Sequence, residues 1–323
     1  VHIKKVNIEE YKSIFEKLQK RLQPKIFNSP EWLSIYDSRL NINVIFNKDN
    51  HPIGVFNTYS TKKGFFSHLN TPPFSPDCSL VFENVANNLA KQNSFYKKIF
   101  SLLEEYLSSQ KASITTLCFP DEFHDFLPFY WNGYKISPLL TYHLNLNESA
   151  DTIHKNLASE RRNDIKKAEK DGLVSIKTDD YSIIKKMVEF TYARKDKKVN
   201  TQIVDGILKK FATPQNSYCF ITFQDETPIA GAFVVYHKDI AYYLLGGYDP
   251  NHRHQGAGAL SVWNALLHAK ELGLKTFDFE GSVLPEVEKF FRAFGGYSVP
   301  YLSINKASLP VEIMLKFVKR NIF

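Results

Sequence analysis

The sequence predicts a chain of the α/β class, of the α+β kind, built from two similar halves. Three observations carry that prediction. Two hairpin-like segments with the same punctuation stand far apart in the chain. Each is followed by a helix, a strand and a second helix. Each series then closes on a Gly-aromatic turn and one more strand.

In chain order, residues 52–70 read PIGVFNTYSTKKGFFSHLN. A Pro-Ile start, an alternating strand, a short polar turn carrying Lys and a second aromatic strand make a β-hairpin. Residues 97–110, KKIFSLLEEYLSSQ, place Ile99, Leu102, Leu103, Tyr106 and Leu107 at helical spacing. A strand from Ile114 to Phe119 follows, then a helix-like acidic and aromatic stretch ending in Trp131-Asn132-Gly133-Tyr134. Residues 228–247, PIAGAFVVYHKDIAYYLLGG, repeat the hairpin. Leu260 to Leu272 is a helix stopped by Gly273. KTFDFE is a strand, Pro285 to Phe294 a helix with proline in its first turn, and Gly295-Gly296-Tyr297 the turn into a strand over 299–304.

Between the halves, SADTIHKNLASERRNDIKKAEKDG reads as two helices, 150–157 and 161–170, opened by Ser149 and closed by Gly172. Further helices are expected over 182–193 and 201–211. The domain organisation expected is therefore 1–145, then 146–308, then a C-terminal helix over 309–323. That last stretch, LPVEIMLKFVKRNIF, reads as a short amphipathic basic helix docked on the body.

With 43% hydrophobic and 23% charged residues, the composition is that of a soluble globular protein and excludes a disordered chain. The net charge of +7 favours anionic partners without choosing among them. Runs such as Arg161-Arg162 and Lys195 to Lys198 read as solvated surface. The three cysteines are far apart, and their spacing suits neither a disulfide framework nor a zinc site; no metal is expected. No stretch approaches the roughly 20 apolar residues of a membrane span. A cytoplasmic location is expected.

The chemistry is concentrated in GGYDPNHRHQGAGALSVWNALLHAKELGL, residues 246–274, where a strand meets a turn and the turn a long helix. Gly256 and Gly258, flanked by Ala257 and Ala259, let backbone N–H groups approach an anion. The helix start adds unpaired donors and about half a positive charge, which together make a pyrophosphate seat. Arg253 and His254 stand at its rim, and Arg253 can fork onto phosphate. There is no GK[ST], so this is not a Walker loop, and no GxGxxG with an acidic follower, so it is not a dinucleotide fingerprint.

Arg253-x-x-Gly256-x-Gly258 resembles motif A of the GNAT acyltransferases, R/Q-x-x-G-x-G/A. The segments LKTFDFEGS, PEVEKFFRAFGGY and VPYLSI follow in the order of that fold. DFEGSVLPEVEKFFRAFGG and LASERRNDIKKAEKDGL are also similar to the Fem-type transferases, which carry two GNAT-like domains in tandem, and to related cell-envelope and exopolysaccharide acyltransferases. The resemblance implies two tandem domains, each with a mixed, mostly antiparallel sheet flanked by helices. It implies a coenzyme A site at Tyr248, Arg253, His254, Gln255, Gly256, Ala257, Gly258 and Ala259. The corresponding part of the first half, LNTPPFSPDCSLVFENVANNLAKQ, has prolines where the glycine turn would be, so cofactor binding is expected only in the second half.

Direct attack on a thioester needs a base for the nucleophile and an acid for the leaving thiolate. Asp278 and Glu280 alternate along KTFDFE, and Glu280, beside Gly281-Ser282, is the base candidate. The family's tyrosine acid, four residues before the helix-ending glycine, is Phe291 here. Ser282 or Tyr243 is the substitute. Arg162 and Arg292 are candidate acceptor contacts. The activity expected is an acyl-CoA-dependent N- or O-acyltransferase, using acetyl-CoA or another acyl-CoA. Its acceptor would be a small molecule or cell-envelope precursor. The alternatives are a Fem-type aminoacyltransferase using aminoacyl-tRNA, and a ligand-binding tandem without catalysis.

Overall fold

The computed structural model describes residues 1–84, 86–193, 199–281 and 283–318, so the basic run 195–198 lies outside the described residues. The chain begins β1 (His2–Val6), α1 (Ile8–Leu18), α2 (Pro30–Leu33), β2 (Leu40–Phe46), β3 (Pro52–Lys63), β4 (Phe66–Asn70) and β5 (Val81–Phe82). It continues α3 (Leu89–Ser109), β6 (Ile114–Cys118), α4 (Leu127–Trp131) and β7 (Lys135–Asn145). Then come α5 (Ala150–Asn156), α6 (Ser159–Lys170), β8 (Val174–Thr178), α7 (Tyr181–Ala193) and α8 (Thr201–Gly206), the last extended by a π turn, Ile207–Phe211. The rest is β9 (Ser217–Gln224), β10 (Thr227–His237), β11 (Ile240–Tyr248), α9 (Ala257–Glu271), β12 (Thr276–Asp278), α10 (Pro285–Arg292), β13 (Tyr297–Ala307) and α11 (Leu309–Val318).

Two compact units result: Val1–Leu139 with Pro300–Phe323, and Leu140–Val299. The first orders its strands β1-β2-β3-β4-β6-β13, with β5 also on β3. Every neighbouring pair is antiparallel except β4 with β6. The second runs β8-β9-β10-β11-β12-β7, and again only one pair, β11 with β12, is parallel. The same sequence of strand directions occurs twice, so the repeat seen in the punctuation is a repeat of architecture. The sixth strands are exchanged: β7 follows the first series in the chain but pairs β12, and β13 follows the second but pairs β6. This is why 300–323 groups with the first unit, whereas the sequence reading kept 297–308 with the second. Gly-aromatic punctuation marks where a strand starts, not which strand it pairs with.

Each unit has its own core. In the first, Ile99, Phe100, Leu103 and Leu107 of α3 pack with Leu117, Phe119 and Phe129, as the helical spacing predicts. α3 starts at Leu89, nearly three turns before the apolar pattern begins at Ile99, because Asn88 caps it: its Oδ1 accepts the Lys91 N–H at 2.9 Å. In the second, α9 is buried along its whole length between the sheet and α6, with Leu260, Val262, Leu266 and Ala269 in the core. α11 docks through Val311; its Leu309, Ile313, Met314 and Phe317 are exposed, a looser seat than the sequence reading gave it.

Candidate functional site

The turn from β11 into α9 is built by its own side chains. Asp249 is buried; its carboxylate accepts the Asn251 N–H at 2.8 Å and faces His252 Nδ1 at 3.2 Å, which holds the carboxyl below its ordinary range, the Asn251 bond foremost. His254 closes the turn. Its Nδ1 accepts the Gly256 N–H at 3.1 Å, and its Nε2 donates to Asp171 at 3.0 Å. Asp171 also accepts from Lys167 at 2.7 Å, and Lys167 first, then His254, hold its carboxyl low.

The two glycines do different work. A Cβ on Gly256 would lie 2.0 Å from the Asp164 carbonyl oxygen of α6, so this glycine lets α6 pack on the turn. A Cβ on Gly258 would meet nothing within 4 Å. The helix starts at Ala257, so Gly258 and Ala259 are its first-turn residues rather than loop. No side chain caps this helix, and the Gly258 and Ala259 N–H groups have no acceptor among the described residues.

Gly258 opens on a cavity of about 390 Å³. Its walls are Glu160, Arg161 and Asp164 of α6, the turn residues Tyr248, Arg253, His254, Gln255 and Gly258, and Glu286, Lys289 and Phe290 of α10. Three cations and three carboxylates line it, so net charge does not define the site; pairing does. Buried Arg161 bonds Asp164 at 2.9 Å and stacks on Phe290, its guanidinium carbon 4.2 Å from the ring centre. Gln255 donates to the other Asp164 oxygen at 2.8 Å. Burial pushes the Asp164 carboxyl up and the Arg161 guanidinium down. Lys289 stands 3.6 Å from Glu160. Arg253 has no ion pair or hydrogen bond among the described residues, so it is the cation available to an incoming anion.

Beside this seat the sheet parts. β11 and β12 pair only over Ile240–Tyr242 and Thr276–Asp278; β12 then ends while β11 runs on to Tyr248. β11 also slips on β10, where Phe233 faces Leu245 but Val234 faces Tyr243, leaving Leu244 as a bulge. Tyr243 is half-buried. Its ring lies edge-on to Phe291 with centres 5.7 Å apart. Gly246 makes room for its hydroxyl: a Cβ there would fall 1.8 Å from the phenol oxygen. That hydroxyl has no hydrogen-bond partner among the described residues, and burial pushes its pKa up.

At the last shared rung, Asp278 is buried and bonded three ways. It accepts from Thr141 Oγ1 at 2.6 Å and from the Glu280 N–H at 2.8 Å, and faces His143 Nε2 at 3.2 Å. Glu280 lies beyond the strand with φ at 56°, and Gly281 follows at 65°. A left-handed Glu is a strained conformation that needs surrounding support. The strand therefore ends two residues earlier than KTFDFE predicts, and Glu280 leaves the alternation that placed it beside Asp278. Ser282 lies outside the described residues.

The structure gathers Tyr248, Arg253, His254, Gln255 and Gly258 around one cavity; Gly256, Ala257 and Ala259 belong to the same helix start but are not among its lining residues. It takes two others elsewhere. Arg162 donates to the carbonyls of Lys155, at 3.0 Å, and Leu157, where α5 ends. Arg292 is exposed and paired with Glu288 at 2.8 Å. The sequence reading missed Arg161, Asp164 and His143. Arg161 was visible as one of a basic pair, but nothing in the sequence separates it from Arg162. His143 gave no signal, because β7 itself carries no clear alternation.

Residues 156–291 match the family model of the acetyltransferase (GNAT) domain. No curated protein sequence matches the chain. Among solved structures, FemX is similar at 12% identity, over 98% of this chain and 99% of that one, with a TM-score of 0.61. A tandem GNAT protein from the clavulanic acid biosynthesis pathway, described without AcCoA, is similar at 10% identity over 95% and 98%, TM-score 0.56. L-PGS from Bacillus licheniformis is similar at 12% identity over 99% and 98%, TM-score 0.56. The chain has a tandem GNAT fold of the Fem-like kind.

Proposed function

We propose that this chain is an acyltransferase that takes its acyl group from acyl-coenzyme A, acetyl-CoA first among them. The acceptor is an amine or hydroxyl of a small molecule or cell-envelope precursor. One observation carries the reading: the uncapped first turn of α9, with Arg253 unengaged beside it, faces a cavity next to strands that part. Gly258 and Ala259 supply N–H donors to the pyrophosphate, and the helix dipole adds attraction there. Arg253 takes a phosphate oxygen. Tyr248 forms part of the cavity wall. His254, Gln255, Gly256 and Ala257 build the seat, since their polar groups are already spent on Gly256, Asp164 and the turn.

The thioester then lies in the opening between β11 and β12. The bulge at Leu244 releases a backbone donor where negative charge grows on the thioester oxygen. Tyr243 protonates the departing thiolate. Its ring packs against Phe291, the helix position where the family's tyrosine would stand. Glu280 and Ser282 remain the sequence candidates for handling the nucleophile's proton. Arg162 and Arg292 would reach an acceptor only by leaving their present partners.

The full-length likeness to FemX favours a second reading, in which the same turn receives the end of an aminoacyl-tRNA. Thermal unfolding separates the two. Acetyl-CoA at about 100 times its Kd stabilises a one-site protein by roughly 2.7 kcal/mol. That gain is expected for the wild type and is expected to shrink for Arg253→Ala. No shift with any acyl-CoA, together with steeply salt-dependent tRNA binding, moves the assignment to the second reading.

A further inference from the structure

We infer that the first unit seats on an anionic lipid bilayer through one end of its sheet, where the tip of the β3–β4 hairpin and α11 stand together. β4 and β6 are parallel, so their first residues, Phe66 and Ile114, lie at the same end. β13 is antiparallel to β6, so its last residue, Ala307, lies there too; His68, Ile114 and Ala307 share one rung. Ser113 ties the three strands. Its Oγ accepts the Ser67 N–H at 3.1 Å, and its carbonyl accepts the Ser308 N–H at 2.9 Å. Neighbouring strands are about 5 Å apart, so the hairpin tip and the start of α11 are separated by about 10 Å.

This end is apolar where it meets water. Phe65, at the hairpin tip, is fully exposed, and Phe66 is exposed beside it. In α11, Leu309, Ile313 and Phe317 recur every four residues as one stripe, with Met314 at its side. All four are exposed, Phe317 at 87%. Val311, about half a turn round the helix, is the residue that packs inward. Single exposed apolar side chains are ordinary on a protein surface; a group of them, from two elements at one sheet end, marks a contact.

The charge says what covers it. The segments that meet here, 61–68, 110–114 and 305–318, carry Lys62, Lys63, Lys111, Lys306 and Lys316 against one carboxylate, Glu312. Glu312 pairs with Lys316 at 2.8 Å. Lys62, Lys63 and Lys111 are exposed, with no ion pair among the described residues. Against α11, Lys135, Lys306, Lys316 and Glu312 line a cavity of about 250 Å³, where an anionic headgroup would meet more cations than carboxylates. A second copy across a two-fold axis would set lysine against lysine. An anionic bilayer satisfies both halves of the surface. The ammonium groups meet lipid phosphates, while Phe65, Phe317 and the aliphatic stripe sink below them toward the acyl chains. The ten residues of α11 reach about 15 Å, so the helix lies in the interface rather than across it. The first unit, which lacks the donor turn, thereby has a task of its own.

The test mixes the 323-residue chain with vesicles of phosphatidylcholine alone, or of phosphatidylcholine and phosphatidylglycerol in equal parts, and measures co-sedimentation at low and high salt. Binding to the mixed vesicles is expected to be stronger by about 10-fold or more and to weaken as salt rises. Lys62→Ala with Lys63→Ala is expected to weaken binding to the mixed vesicles by about 30-fold. Phe65→Ser with Phe317→Ser is expected to weaken it by about 100-fold. Melting temperatures at the wild-type value exclude loss of fold, and sedimentation velocity without lipid gives the oligomeric state. No binding to the mixed vesicles, equal binding to both kinds, or binding untouched by both pairs of substitutions overturns the inference. A dimer that Phe65→Ser with Phe317→Ser dissociates overturns it too, since a second copy then covers the face. The acyl-CoA reading stands or falls separately, because vesicle binding needs no donor.

Discussion

The first and second units start from one strand pattern and treat the same junction in opposite ways. In the second, β11 outruns β12 by six residues, from Tyr243 to Tyr248, and α9 then begins with no side-chain cap. In the first, β4 ends at Asn70, its last rung with β6. The chain beyond it stays bonded: Thr71 N–H to the Thr116 carbonyl at 3.2 Å, Cys118 N–H to Thr71 Oγ1 at 2.8 Å, and Cys78 N–H to the Cys118 carbonyl at 2.8 Å. α3 then starts with Asn88 over its free amides. Phe82 stacks on Phe123 at 5.5 Å near that start. A cleft and an open helix end in one copy are a stitched seam and a capped helix end in the other. The fold alone therefore does not make a donor site; an overhanging strand and an unsatisfied helix start do.

The largest effect should come from the position where packing and binding are both at stake. Gly256→Val is expected to destabilise the protein by about 3 kcal/mol or more, since its side chain meets the α6 backbone and that backbone cannot give. Urea unfolding would show it. Gly258→Val meets no such wall, so its stability should stay near wild type while acetyl-CoA affinity falls. Equal effects from both would erase the distinction between the two glycines.

Tyr243→Phe comes next. It keeps the packing against Phe291 and removes the proton donor, so kcat should fall by about 100-fold with little change in KM. Full retention of kcat would take Tyr243 out of the reaction.

Asn88→Ala sharpens the comparison from the other side. Loss of that cap should cost about 1 kcal/mol of stability in chemical unfolding and leave acetyl-CoA affinity untouched. A gain of a second acetyl-CoA site in this variant would show that the cap alone closes the first copy. Arg292→Ala is expected to have the smallest effect. Its ion pair with Glu288 is exposed, so stability should change by less than about 0.5 kcal/mol.

The parts of this molecule that the sequence made legible are those with local physics. Both hairpins, the spacing of Ile99, Leu103 and Leu107, and the stop at Gly273 are each written within a few residues. Motif A was legible for the same reason, and its family likeness carried the fold. Pairing was not. The exchange of β7 and β13 depends on contacts between residues far apart in the chain, such as Ser303 with Cys118, and no local pattern encodes them. The role of Gly256 was misplaced for a related reason. Its sequence context says phosphate, but its nearest neighbour is the Asp164 carbonyl on a helix read separately. His143 was invisible because its meaning comes from Asp278, which lies opposite it in the sheet and far from it in sequence. Glu280 fell out of its expected alternation because the strand stops at Asp278 and the backbone turns left-handed there.

The claim that one helix start in this chain is built for an anionic donor is tested most directly by isothermal titration of acetyl-CoA into the 323-residue chain. The account predicts one site per chain, weakened by Arg253→Ala and Gly258→Val and unchanged by Asn88→Ala. Two sites per chain, no site, or a site indifferent to Arg253 and Gly258 would contradict it.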